Sequence, residues 1–160
     1  MKKLFALLMA ILLVALFGIF ALGSGEEGES NQGTGSADNT TIGDYSVEIA
    51  SCRLAKDYEN KDVVIVKYKF TNNNDDDAAA FYLTFDETVY QNGVGLNEAY
   101  ILKDSANYSA DNQSKEIKKG ASLDVEVAYE LEDTTTDIEV EVKELFSFSD
   151  KTIKKTFSIK

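Results

Sequence analysis

The chain has no histidine, no proline and no tryptophan, and a single cysteine in 160 residues. Without imidazole, catalysis by a histidine base is excluded, as are zinc sites that need histidine ligands. Cys52 has no second cysteine to pair with, so no disulfide forms within the chain and packing alone holds the domain. At an inward strand position it reads as a small buried hydrophobe; no neighbouring cation or base in the sequence marks it as a reactive thiol. Basic residues are also scarce: 16 Lys and Arg stand against 28 Asp and Glu, a net charge of −12. Binding to nucleic acid depends on clustered Lys and Arg that neutralise phosphates, so no nucleic acid partner is expected, and direct adsorption to an anionic membrane surface is disfavoured.

What is present starts with a leader. Lys2 and Lys3 precede the apolar run 4–22, which as a helix at about 1.5 Å per residue nearly matches the roughly 30 Å hydrocarbon layer of a bilayer. Ala21 and Gly23 are small residues spaced like a cleavage site ahead of Ser24. Residues 1–23 are therefore either a signal peptide or a retained N-terminal membrane anchor. In both cases the lysines stay inside and the rest of the chain is secreted or anchored outside the cell. Gly23, Ser24 and Gly25 stand where a lipoprotein has its lipid-accepting cysteine, so lipid attachment is not expected and membrane contact is confined to residues 4–22. Residues 24–41, rich in Gly, Ser, Thr, Asn and Glu without apolar periodicity, read as a flexible linker.

Residues 42–160 read as one β-domain. Val64, Val66, Tyr68 and Phe70 alternate with Ile65, Lys67 and Lys69, the period of a strand with one buried and one partly wet face. The polar run Asn72 to Asp77 reads as a hairpin loop, since these side chains bond their own backbone. Beyond it Phe81, Leu83 and Phe85 are expected on one face of a second strand that pairs with the first. Tyr45, Val47 and Ile49 share a side with Cys52 and Leu54 only if a bulge is inserted near Ala50 and Ser51. Gly93 and Gly95 mark a tight reversal, and Asp104 to Asn112 reads as an exposed loop. Leu123, Val125, Val127, Tyr129 and Leu131 alternate cleanly. Ile138, Val140, Val142, Phe146 and Phe148 are assigned to the next strand, and Ile153, Phe157 and Ile159 to the last. Seven or eight short strands with regular turns predict an immunoglobulin-like antiparallel β-sandwich, preceded by the N-terminal hydrophobic helix and the linker.

Several blocks in order carry a family resemblance: Ile42-Gly43-Asp44-Tyr45, Leu54-Ala55-Lys56-Asp57-Tyr58, Val63 to Phe70 closing on Thr71-Asn72-Asn73, Val89-Tyr90-Gln91-Asn92-Gly93, and Val127-Ala128-Tyr129-Glu130-Leu131. Over about residues 42 to 160 the chain resembles the domain-of-unknown-function 5067 family. The resemblance implies an immunoglobulin-like domain of exported proteins and lipoproteins of Gram-positive bacteria. It carries no established activity or site residues.

Three constellations are candidates for chemistry. The Asn72 to Asp77 loop offers carboxylates and carbonyls in the number calcium needs, with Asp75 and Asp77 as the ligands, although it lacks the alternate-residue spacing of an EF-hand and also reads as a solvated hairpin tip. Asp124, Glu126 and Glu130, with Glu139 and Glu141, form an acidic patch if their strands pair; glycoside hydrolysis uses such carboxylate pairs, a solvated face has the same composition, and a docking surface for a basic partner is the remaining reading. Tyr90, Gln91, Tyr100 and Tyr108 have the ring area and polar tips used in sugar or peptide recognition; a turn-stabilising role for Tyr90 is the alternative. The expected function is a non-enzymatic extracellular module that binds a protein, peptide or cell-wall polymer. The alternatives are a carboxylate-based hydrolase, supported if two acids converge in a cleft with unequal proton affinities, and a calcium-responsive surface protein.

Overall fold

The computed structural model describes residues 40–101 and 107–160. The leader 1–23, the linker as far as residue 39 and the loop positions 102–106 lie outside the described residues. Among the described residues, no helix is long and apolar enough to cross a membrane.

The domain is an all-β antiparallel sandwich. One sheet runs in the order β1 (Thr41–Ile42), β2 (Tyr45–Lys56), β3 (Asp62–Asn72), β8 (Ser122–Glu130). The other runs β10 (Thr152–Phe157), β9 (Ile138–Glu144), β5 (Phe85–Gln91), β6 (Val94–Gly95). A small ladder pairs β4 (Ala79–Ala80) with β7 (Glu116–Ile117). Beyond β8, the backbone at 97–99 bonds its free edge: Glu98 bridges Tyr129, and Ala99 N–H reaches the Ala128 carbonyl at 2.8 Å. The neighbours are thus those of strands A-B-E-D and G-F-C of an immunoglobulin domain, with the D position reduced to a few residues. The linker is shorter than expected, because Thr41 already pairs with Ser46.

Inner faces follow the period-2 rule. Val64, Val66, Tyr68 and Phe70 of β3 and Val125, Val127 and Tyr129 of β8 pack against Phe85, Val89, Val140 and Val142 of the facing sheet. The outer face of β3 carries a second cover, in which Val63 and Ile65 are sealed with Ala128 by Ile101 and Tyr108. The expected bulge is present: the β2–β3 register shifts between Ile49 and Ser51. Lys155 reaches across from β10 and donates to the carbonyls of Ile49 at 2.8 Å and Ala50 at 3.0 Å. Asn92 and Gly93 both take positive φ, 54° and 77°, which joins β5 to β6 through the turn with the twist a hairpin favours.

Four expectations are corrected. Residues 81–85 do not continue β3 in a hairpin: Phe81–Thr84 form a single helical turn, α1, and the chain crosses to the other sheet. The helical spacing buries Phe81 and Thr84 and exposes Leu83, where alternation placed Leu83 inward. Phe146 and Phe148 lie beyond the end of β9 and are exposed to solvent. Of the expected loop 104–112, the described residues 107–112 are more than an exposed loop, since Tyr108 is buried and a turn of 3-10 helix, Ala110–Ser114, follows it. Finally, β8 and β9 belong to different sheets, so their acids form no shared patch. Asp124 instead pairs with Lys67, Glu126 with Arg53 and Glu141 with Lys154.

Two buried amides fix the connections in the absence of proline. Asn72 Nδ2 donates to the carbonyls of Asp77 and Ile117, each at 2.9 Å, and its Oδ1 accepts from Asn74 N–H at 2.8 Å. Gln91 serves the β8–β9 loop. Its Oε1 accepts from the N–H of Glu132 and Asp133 at 2.9 and 3.2 Å, while Nε2 donates to the carbonyls of Asp133 and Thr136 at 3.0 and 2.9 Å. Gln91→Ala strands these backbone groups at a site the side chain keeps dry, so the variant is expected to lose about 3 kcal/mol of stability, read by urea denaturation. Gln91→Glu should lose nearly as much, because a carboxylate cannot donate to the two carbonyls.

Candidate functional site

The inward face of β5 reads Phe85, Glu87, Val89, Gln91. The register sets Glu87 opposite Val142, which is fully buried, so a carboxyl points towards the space between the sheets. On the opposite sheet Tyr68 and Tyr129 are buried with their hydroxyls 3.3 Å apart. Glu98, in the D position, bridges Tyr129 and therefore shares its face. Glu87 and Glu98 meet in a recess of about 470 Å³, which Tyr82 of α1, Gln113 of the 3-10 turn and Leu145 after β9 also line. The recess occupies the edge where β5 and the D position are not zipped together.

Burial pushes the Glu87 carboxyl up to about 8, with a further rise from the like charges of Glu98 and Asp86. The Tyr68 and Tyr129 hydroxyls are also raised, by burial first; Tyr68 adds to the rise at Tyr129, and Glu87 makes a smaller contribution to both. Among the described residues, no Lys or Arg lines the recess. At neutral pH Glu87 therefore holds its proton beside the exposed Glu98 side chain, an arrangement that can release a proton or accept a cation.

The recess opens beside an apolar surface. Leu145 N–H donates to the Thr84 carbonyl at 2.9 Å, which fastens the β9–β10 loop next to α1. Tyr82 and Leu83 project from α1, and Phe146 and Phe148 from the loop are 90% and 107% exposed. The ends of β3 and β9 and the starts of β5 and β10 meet here, the end of the sandwich at which variable domains carry their binding loops.

The residues singled out from the sequence are dispersed. Tyr90 lies on the outer face of the β10-β9-β5 sheet, in a hollow of about 450 Å³ with Asn92, Glu139 and Thr156. Gln91 is interior, with its amide engaged by the loop described above. Tyr100 is exposed and stacks edge-on against Tyr58 at 6.1 Å. Tyr108 is buried under the outer face of the first sheet and accepts from Gln113 Nε2 at 3.2 Å. Asp75 is ion-paired with Lys119, and Lys118 and Lys119 line the same depression as Asp75 and Asp77. Among the described residues no group of three or more His, Cys, Asp or Glu is arranged to hold a metal ion. Burial pushes the Cys52 thiol up, only partly countered by Lys155. Glu87 went unnoticed in the sequence, although the spacing Phe85-x-Glu87-x-Val89 sets a charged residue at an inward position once the strand is extended past Phe85.

An immunoglobulin-like β-sandwich with an acidic recess and an aromatic loop end is thus the class of protein the fold defines. A family model for the domain of unknown function DUF5067 matches residues 24–144, and the chain belongs to that family. The match begins in the linker and ends at the last residue of β9, whereas the sequence blocks pointed to about 42 to 160. A solved structure from Staphylococcus aureus, described as a "putative lipoprotein", is similar with a TM-score of 0.56 at 23% identity, covering 76% of this chain and 88% of that one. No curated protein matches.

The sign of the Glu87 effect on stability follows from linkage. A carboxyl whose folded pKa is raised holds its proton in the fold while the unfolded chain gives it up, so stability falls from about pH 4.5 to about pH 8 and is level above that. Glu87→Gln removes the titration. At pH 9 it is expected to be about 2 kcal/mol more stable than the parent, after discounting for the carboxyl's residual contact with water, and equal to it at pH 4. Equal gains at both pH values in urea titrations would rule out an interior carboxyl as the cause.

Proposed function

We propose that the protein is a non-enzymatic binding module displayed outside the cell, which engages a protein, peptide or cell-wall polymer through the end of the sandwich that carries the β9–β10 loop. The observation that carries the reading is the pair Phe146 and Phe148, held in solvent on a loop fastened to α1. Hydrating two phenylalanines is unfavourable by about 2 kcal/mol each relative to burying them. They contribute nothing to the core, and contiguous exposed apolar surface marks interaction sites. The expected leader and the staphylococcal neighbour described as a lipoprotein support placement at the bacterial surface.

A second reading, a carboxylate hydrolase, is favoured by one observation. A carboxyl that keeps its proton near neutrality beside another carboxylate is the pairing that acid and base roles require. Under the leading reading, the chain releases no reducing ends or peptides from purified cell wall, and Glu87→Gln changes nothing in that assay.

The test of the leading reading is a paired substitution. Phe146→Ser with Phe148→Ser should leave stability within about 0.5 kcal/mol, as these side chains touch no core. The same double variant should lower retention on cell-wall fractions and immobilised secreted proteins of the source bacterium by about tenfold or more. Undiminished retention would move the contact surface elsewhere.

A further inference from the structure

Resting on the binding-module reading, we propose that the partner is a cationic polypeptide segment, one of whose Lys or Arg side chains enters the recess between Glu87 and Glu98 while flanking apolar side chains lie on Tyr82, Leu83, Phe146 and Phe148. Two independent features meet at this place. The first is the recess itself, whose lining includes three acidic side chains, Asp86, Glu87 and Glu98, and, among the described residues, no basic one. Its volume of about 470 Å³ falls in the range of pockets that enclose a small ligand or a side chain. The second is the set of exposed apolar side chains beside it: Tyr82 lines the recess and Leu83 follows it on α1, while Phe146 and Phe148 follow the recess-lining Leu145. Charge complementarity selects the occupant: the chain bears a net charge of −12 and would repel an acidic peptide or an anionic bilayer.

The neighbours of Glu87 make the contact sensitive to pH. The titratable groups that act on it are Glu98 and Asp86, and the Tyr68 and Tyr129 hydroxyls sense it in turn; none of these is basic. An arriving ammonium or guanidinium supplies the missing charge and lowers the carboxyl's proton affinity, so the proton leaves to solvent as the cation enters. Binding then tightens from pH 6 to pH 8, as less of the free protein has a proton to lose.

The experiment uses the full chain and three synthetic peptides, of alternating Lys and Phe, Gln and Phe, and Lys and Ser, titrated by calorimetry in two buffers of different ionisation enthalpy. The Lys/Phe peptide is expected to bind at least about tenfold more tightly than the other two and to release a proton at pH 7. Glu87→Gln with Glu98→Gln should weaken it by about tenfold and abolish the proton release. Phe146→Ser with Phe148→Ser should reduce it to the level of Lys/Ser. Asp124→Asn with Glu130→Gln, on the outer face of the other sheet, should leave it unchanged. Equal binding of the Gln/Phe peptide, or an unaltered affinity in the Glu87/Glu98 variant, overturns the cationic partner and leaves the loop-end reading standing. Undiminished cell-wall retention by the Phe146/Phe148 variant overturns that reading instead.

Discussion

The rest of the domain depends on one strand being dry on both faces. Val63, Val64, Ile65 and Val66 are all fully buried, so β3 cannot stand at an edge or present either face to water. Its inner side is covered by the facing sheet. Its outer side must be covered by something that is not a sheet, and the chain meets this with the stretch after β6, which pairs with the free edge of β8 and brings Ile101 and Tyr108 over Val63 and Ile65. The cover is then pinned by polar contacts: Gln113 Nε2 donates to the Glu126 carbonyl at 2.7 Å, and Asn112 Nδ2 to the Asp124 carbonyl at 2.8 Å. The 3-10 turn that makes these bonds also supplies one wall of the recess, so the site is a by-product of shielding β3.

The polar groups divide into two kinds. On the outer faces, Arg53 grips Glu126 at 2.5 and 3.2 Å and Lys67 meets Asp124 at 2.7 Å; such exposed pairs contribute about 0 to 1 kcal/mol each and chiefly keep an acidic surface from self-repulsion. Inside, the amides of Asn72 and Gln91 satisfy loop backbone, a role that a tyrosine corner plays in other sandwiches. Among the described residues every buried side-chain nitrogen or oxygen has a partner. Glu87 belongs to neither kind: it faces inward, lacks a cation, and keeps its proton instead. A carboxyl that keeps its proton for want of a cation, at the edge of a core otherwise fully satisfied, is the polar group there with most to gain from an external partner.

Much of this architecture was legible from side-chain periodicity. The alternation in β3 and β8, the bulge beside Ala50 and the Asn92–Gly93 reversal are local patterns, set by backbone geometry over a few residues, and they appear where the sequence places them. Sheet neighbours are not local. The Asn72–Asp77 run reads as a hairpin loop because its residues favour turns, but nothing in it says that the chain crosses to the other layer. Phe81 to Phe85 fits period 2 as well as a single helical turn, and only the burial of Thr84 in place of Leu83 separates the two. Phe146 and Phe148 continue the apolar spacing of β9, so periodicity counts them as core; the strand runs out first. The recess was hidden for the same reason, since it joins α1, β5, the D position and the 3-10 turn, four segments whose proximity only tertiary structure creates.

The division between frame and contact surface follows the chain. The family match ends at Glu144, the last residue of β9, after which come the loop with Phe146 and Phe148 and the edge strand β10. Glu87, Glu98 and Tyr82 fall inside the match, whereas the two exposed phenylalanines fall outside it. Physically the loop is free to differ: among the described residues its aromatic side chains pack against nothing in the core, and its backbone tie to α1, from Leu145 to Thr84, does not depend on side-chain identity. Stability therefore constrains β9 and β10 but leaves the residues between them to be set by what they touch. Under the proposal above, the recess built into the frame would take the charge, and the aromatic rim that the frame does not specify would select the polypeptide that carries it.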